Sequence, residues 1–296
     1  MLKRTVVITS PSHLSVKDRQ LVCTNVDNND CVQKAPIEDL AVVLVENQRA
    51  SLSIPLLNAL ADNNVAVVFC DSCGMPNAQL VSFSASATQS EVFRAQMSAS
   101  VAKNKRIWKQ LVEAKIRNQS RLLEKLGKDG MLLRPYYENV KSGDADNREG
   151  IAARLYWREL FGDGFSRLRE GPSPNNMLNY GYAILRSSVA RALLCSGLNL
   201  ALSVFHKNRY NPVPLVDDIM EPFRPFVDEI VYELVCNGEC ELNAEIKGYL
   251  AGVLSCDTKY DKLRRPLQIG LSITTASLAK CYLEDTAKLS LPSLEV

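Results

Sequence analysis

The sequence predicts an α+β protein in which a small β-rich N-terminal domain is joined to a larger all-α C-terminal domain. Three observations carry that expectation. Up to residue 76, short β-branched runs alternate with turn residues. From Cys73 to Ser90 the chain turns to Gly, Pro, Ser and Thr chemistry without helical spacing, and a linker is expected over residues 77–90. From residue 91 to 296, apolar side chains recur at steps of three and four. A chain of 296 residues is long enough for two modest domains with sizeable cores.

Taken in order, "RTVVITS", "QLVCTN", "LAVVLV" and "NVAVVFC" read as strands, bounded by Asn, Asp, Ser and Pro. "SIPLLNALADNN" reads as a helix, with a Ser-x-Pro start, a leucine face and an Asp-Asn-Asn stop. Met97, Val101, Trp108, Val112, Ile116, Leu123 and Leu126 form one apolar stripe, on one long helix or two in series. The bases of that segment are expected on the opposite face. A helix is expected near residues 147–160, and another over "NNMLNYGYAILRSSVARALLCSG" with Gly197 as its C-terminal stop. "PFRPFVDEIVYELV" and "LSITTASLAKCYLEDTAKLSL" complete the helical part.

The composition, 46% hydrophobic and 23% charged, is ordinary for a soluble protein. No run approaches the ~18 apolar residues of a membrane span, and the N-terminal apolar run is too short for a signal peptide, so a cytoplasmic protein is expected. Nine cysteines read as reduced thiols. A zinc site from Cys70, Cys73, Cys236 and Cys240 fits worse than core or incidental thiols, because one pair ends an apolar strand and the other is loosely spaced. The net charge is only +2, yet Arg94 to Arg134 holds eleven bases against three acids, and Asp217 to Glu245 nine acids against Arg224 alone. A basic segment beside an acidic one suits a polyanion-binding protein with a divalent-metal centre, but charge alone favours two solvated helix faces.

Three stretches carry candidate chemistry. In "GDADNREGIAARLYW", Asp146 and Glu149 are three apart at a helix start, which is a capping box or a carboxylate free to ligate a cation. In "FHKNRY", His206 is a structural histidine or a ligand, followed by the phosphate-type donors Lys207, Asn208 and Arg209. In "VDDIMEPFRP", Asp217 or Asp218 can share a helix face with Glu221, whose following Pro222 instead marks a junction. Carboxylates with one histidine suit Mg²⁺ or Mn²⁺ better than zinc, and such an ion assists in-line displacement at phosphorus. No Walker loop, G-x-S-x-G elbow or G-x-G-x-x-G is present, so the usual parts for ATP hydrolysis, acyl transfer and dinucleotide redox chemistry are missing.

"GDADNREGIAARLYWRELFG", "NNMLNYGYAILRSSVAR", "GLNLALSVFHKNRYNP" and "LVDDIMEPFRPFVDEIV", in that order, resemble the CRISPR-associated spacer-acquisition integrase family. With "CDSCGMPNAQL" and "IWKQLVEAKIRNQSRLLEKLG", the likeness is closest to the lineage that accompanies the single large RNA-guided effector nuclease. The resemblance implies a β-rich domain joined to a helical catalytic domain, and a metal-dependent DNA endonuclease and integrase. It implies Glu149, His206 and Glu221 as metal ligands and catalytic residues for Mg²⁺ or Mn²⁺. Asp217 and Asp218 become supports around them, and Arg148, Lys207, Asn208 and Arg224 candidate DNA contacts, with a salt bridge from Arg224 to Asp218 or Asp228 as the alternative. The implied partners are double-stranded DNA, a second copy of the chain, and a small ferredoxin-like adaptation protein in a heterohexamer, with the effector nuclease as a further candidate. The chain departs from the family at Phe205, where many members have a second His, at "ALSVF", where many have Gly, and at Gly150, where Ala is usual. A structure-selective repair nuclease and a non-catalytic DNA scaffold are the rival readings.

Overall fold

The computed structural model describes residues 3–28, 31–82, 85–261, 263–284 and 288–296. The N-terminal part contains β1 (Arg4–Ile8), β2 (Ser12–Lys17), β3 (Gln20–Asn25), β4 (Val32–Pro36), β5 (Leu40–Val45), β6 (Ser51–Leu52), helix α1 (Ile54–Asp62), β7 (Ala66–Cys70) and β8 (Pro76–Leu80). They build two four-stranded sheets, ordered β1-β5-β7-β8 and β4-β3-β2-β6. In the first, β1, β5 and β7 run parallel and β8 returns antiparallel.

The unbroken apolar run of β5 has a structural cause. Val43 and Val45 pack with Val67, Leu14, Leu21, Leu56 and Leu60 in a small core within the N-terminal part. Val42 and Leu44, on the other face, join Ala66 and Val68 in the large core of the helical part. A sheet buried on both faces needs no polar alternation. The two parts therefore share a wall.

The helical part comprises α2 (Gln89–Met97), α3 (Val101–Lys125), α4 (Arg134–Glu138), α5 (Arg148–Phe161), α6 (Asn175–Cys195), α7 (Pro214–Met220), α8 (Arg224–Cys236) and α9 (Ala244–Ala251). A hairpin of β9 (Asp257–Tyr260) and β10 (Leu263–Pro266) precedes α10 (Leu267–Leu283). That hairpin corrects the all-α expectation: Thr258 and Tyr260 point inward and are buried, while the intervening side chains are exposed. The linker expected over residues 77–90 also differs. It begins inside β8 and ends inside α2, and its residues 83 and 84 lie outside the described residues.

Helix α6 ends as its sequence predicts. Gly197 has φ +76°, Gly197 N–H donates to Leu194 O, and Leu198 N–H donates to Leu193 O, the bond pattern of a glycine-terminated helix. The apolar stripe of α2 and α3 is only partly core. Trp108, Val112, Ile116 and Leu123 are fully buried, but Met97 and Val101 are exposed. Nor do the bases keep to the other face, because Lys103 is buried and Lys115 is nearly so.

Candidate metal and DNA-processing site

Helix α3 crosses the helical part and supplies the centre of the site. Lys115 follows Trp108 and Leu111 at helical steps, so it occupies a core position of an amphipathic helix. An ammonium there must be paired. Its Nζ lies 2.6 Å from Oε1 of Glu149 and 2.5 Å from Oε2 of Glu221. Burial alone would lower the lysine pKa, but the two carboxylates outweigh it and raise it.

Glu149 stands in the first turn of α5. The cap of that helix is Asp144, which accepts from Arg148 N–H at 2.8 Å and Glu149 N–H at 3.1 Å. This corrects the capping box expected from Asp146, which instead pairs with Lys141 at 2.9 Å. Asn147 supplies the bend with φ +52°, and its side chain makes no cap bond. Burial raises the pKa of Asp144, against the two backbone donors that favour its charge. Glu149 is thus left to face Lys115.

Glu221 begins a single 3-10 turn, Glu221–Phe223, between α7 and α8. Pro222 makes it a junction, as its sequence suggests. Its Oε1 accepts from Nε of Arg224 at 2.9 Å, and its Oε2 meets Lys115 without hydrogen-bond geometry. Burial opposes its charge, but Arg224 and Lys115 prevail and hold its carboxyl down at about 2. The Arg224 guanidinium lies 4.6 Å over the ring of Tyr182. Tyr182 and Tyr156 both donate to buried Asp228. The predicted alternative partners of Arg224, Asp218 and Asp228, are not its ion pair; Glu221 is.

The loop after α6 carries His206. Asp218, fully buried on α7, accepts from the backbone N–H groups of Val204, Phe205 and His206 at 2.7, 2.9 and 3.2 Å. Its Oδ1 also lies 2.6 Å from Nδ1 of His206. That hydrogen bond raises the histidine pKa against burial, which would lower it, with smaller contributions from the charges of Asp218, Glu221 and Glu149. A proton held on Nδ1 leaves Nε2 with its lone pair, the arrangement of a histidine that ligates a metal. Asp217, one residue earlier, faces elsewhere, held by Arg186 at 2.7 Å and Asn211 at 2.6 Å.

The site therefore brings Glu149, Glu221, Arg224 and Lys115 into contact, while Asp218 holds His206, whose imidazole feels the charges of both glutamates. As the side chains stand, no group of three or more His, Cys, Asp or Glu among the described residues is spaced to hold an ion. The Lys115 ammonium takes the space between the two carboxylates. Two carboxylates already gathered on one cation, with an imidazole whose Nδ1 is occupied, nevertheless have the donor chemistry of a Mg²⁺ or Mn²⁺ site.

A family model described as "CRISPR associated protein Cas1" matches residues 5–258. The chain belongs to the Cas1 family. A "CRISPR-associated endonuclease Cas1" of Neisseria meningitidis is 36% identical over 258 residues, covering 86% of this chain and 84% of that protein. One from Saccharolobus solfataricus is 27% identical over 256 residues, covering 83% and 79%. Among solved structures, a casposase bound to integration product superposes with TM-score 0.79 at 20% identity, over 98% of this chain and 93% of that one. A Cas1 protein from Thermotoga maritima gives 0.76 at 17% identity, over 99% and 100%. These two likenesses show a shared fold.

The family's departures acquire physical content here. Phe205 stacks on Trp108, ring centres 4.5 Å apart and 2° from parallel, and His206 meets the same indole edge-on at 5.2 Å. An aromatic hydrocarbon at 205 thus fixes the loop by stacking where a second histidine would have been polar. A Cβ at Gly150 would come within 2.7 Å of the Asn147 side chain, so glycine here accommodates the bend. Of the candidate DNA contacts, Lys207 and Asn208 are exposed on the histidine loop. Arg148 lies 5.8 Å over Tyr136 and 3.7 Å from Asp146, with its Nε buried and unbonded among the described residues.

Lys115, Asp144 and the Asp228–tyrosine group escape sequence reasoning. For Lys115 a signal exists: a charged residue in phase with Trp108 and Leu111, on the face where an apolar one is expected. For Asp228, hydrogen-bonded by tyrosines from α5 and α6, no local pattern marks it. Cys70 ends β7 in the core, and burial pushes its thiol up to about 12, which makes it a packed thiol and a poor metal ligand.

Proposed function

We propose that this Cas1 protein is a metal-dependent DNA integrase that joins the 3′-hydroxyl end of a short DNA to a phosphodiester at a CRISPR repeat border. The observation that carries this reading is the convergence of Glu149 and Glu221 on one cation, with His206 held by Asp218 and within electrostatic reach of both glutamates. The ion would be Mg²⁺ or Mn²⁺, held by Glu149, His206 and Glu221. When bound it would supply charge neutralisation for an in-line displacement at phosphorus.

The chain's own residues have separable tasks. Asp218 keeps the imidazole proton on Nδ1 and so presents Nε2. Arg224 holds Oε1 of Glu221 and fixes the direction of Oε2. Lys207 and Asn208, exposed beside His206, would contact backbone phosphates, which position DNA without reading its sequence. Exchange of one phosphodiester for another needs no nucleotide hydrolysis; with water as the nucleophile the same site would cut DNA.

In the cell the proposed partners are double-stranded DNA, a second copy of this chain and a Cas2-type adaptation protein, in the cytoplasm of a prokaryote. A solved complex described as Cas6-RT-Cas1–Cas2, which shares the fold at TM-score 0.74 and 19% identity, contains such a pairing. The test is to incubate the protein with Mn²⁺, a duplex bearing 3′-hydroxyl ends and a repeat-bearing plasmid. Joined or relaxed plasmid is expected, and Glu149→Ala and His206→Ala should yield none. Equal product from those variants would remove the assignment of the site.

A further inference from the structure

We propose that Lys115 is the resident cation of this site, and that it vacates the position between Glu149 and Glu221 when a divalent ion enters. The inference rests on the metal-site reading above, but it concerns a residue which that reading does not use.

The position of Lys115 is costly unless it has a purpose. It lies on the buried stripe of α3, with its side chain only 12% exposed, and both carboxylates that pair with it come from other elements. A buried ammonium without partners would be strongly unfavourable, and so would two facing carboxylates without a cation. Each makes the other tolerable. The metal-free protein can therefore hold both acids close together, already turned toward a common point.

The oxygens in contact with Lys115 are the ones a metal would need. Glu221 has Oε1 committed to Arg224, so Oε2 is its remaining oxygen, and that is the atom Lys115 meets. On Glu149 the ammonium meets Oε1. A Mg²⁺-sized ion binds carboxylate oxygen at about 2.0–2.1 Å. An ion so placed on Oε1 of Glu149 and Oε2 of Glu221 would occupy the space of Nζ, and two cations in contact repel. Arg224 need not move, because its guanidinium is fixed on the other oxygen and over Tyr182. Lys115 is the group able to move: its charge is a compact ammonium on a flexible four-carbon stem. The exchange is then a competition, and the ammonium reduces the apparent affinity for the ion.

The experiment uses the full chain and Mn²⁺ alone, with binding measured by calorimetry and thermal stability measured in chelator. Lys115→Met should bind Mn²⁺ more tightly than the unaltered protein, by on the order of tenfold, and should melt lower in chelator while gaining more from Mn²⁺. Lys115→Arg, which keeps the charge, should not bind more tightly. A readout that needs no substitution is amine acetylation of the unaltered protein, followed by peptide mass spectrometry. Labelling of Lys115 should rise severalfold on adding Mn²⁺, as the amine leaves its carboxylates. Unchanged labelling, or Lys115→Met binding equally or more weakly, overturns the proposal. If Glu149→Gln still abolishes binding in that case, the metal site itself stands. Absence of Mn²⁺ binding in both the unaltered protein and Lys115→Met overturns both readings.

Discussion

Asp218→Asn tests how the histidine loop is held. Asp218 spreads four contacts over two oxygens: Oδ2 takes the N–H groups of Val204 and Phe205, and Oδ1 takes the N–H and Nδ1 of His206. Asparagine retains one oxygen. Its best orientation keeps the Val204 and Phe205 bonds and turns the amide NH₂ toward His206. There it opposes the His206 N–H, donor against donor, and forces Nδ1 to accept. The imidazole proton must then move to Nε2. One buried N–H loses its partner, at about 1–3 kcal/mol, and the retained bonds lose their charge assistance, so about 3 kcal/mol is expected in total. At about 2.1 cal/mol/K per residue, that amounts to a fall in melting temperature of about 5 °C. The same proton shift removes the Nε2 lone pair, so metal affinity should fall by about 10–100-fold. Folded His206 has a raised pKa, chiefly through its hydrogen bond to Asp218. That stabilisation is fully present below its ordinary value of 6.5 and is lost as pH rises through the folded value, so the gap between the two proteins should narrow at alkaline pH. Thermal melts across pH, with a Mn²⁺ titration, provide the measurement. A variant that melts within about 1 °C of the original and binds Mn²⁺ equally would refute this account of Asp218.

Two further predictions concern the surroundings of the site. Burial pushes Asp228 up to about 6, against the hydrogen bonds from Tyr182 and Tyr156. A carboxyl raised in this way contributes stability that is fully present below 3.8 and lost as pH rises through about 6. The original protein should therefore lose up to about 3 kcal/mol relative to Asp228→Asn over that window, and nothing more above it; parallel urea midpoints from pH 4 to 7 would contradict this. Asn118, buried on α3, donates to Pro222 O at 2.8 Å and Pro292 O at 3.1 Å and accepts from Leu294 N–H at 3.1 Å. Asn118→Ala strands these groups and should cost about 2–4 kcal/mol in denaturant unfolding; a loss below about 0.5 kcal/mol would show that the tie between Pro222 and the C-terminal segment carries little.

By itself the sequence determined the elements whose periodicity is strong and local. The runs of β1, β5 and β7, the repeat of α6 and its Gly197 stop are readable because alternation, helical spacing and glycine's left-handed freedom act over a few residues. It also singled out Glu149, His206 and Glu221, through motifs in a family-like order. It passed over β2 and β4. The first buries only alternate side chains between Ser and Lys, and the second is a polar edge strand with most of its side chains exposed. Only the tertiary structure decided that the β5 sheet is a wall shared by both parts. Only it decided which of two adjacent aspartates serves the histidine. Asp217 and Asp218 are neighbours in sequence, but one helical step turns one toward Arg186 and the other toward His206. The same holds for Lys115, which looks like one base among eleven and is the counter-charge of acids on α5 and on the turn before α8. A buried charge is neutralised by whatever the fold brings within a few ångströms, and chain distance carries no record of that.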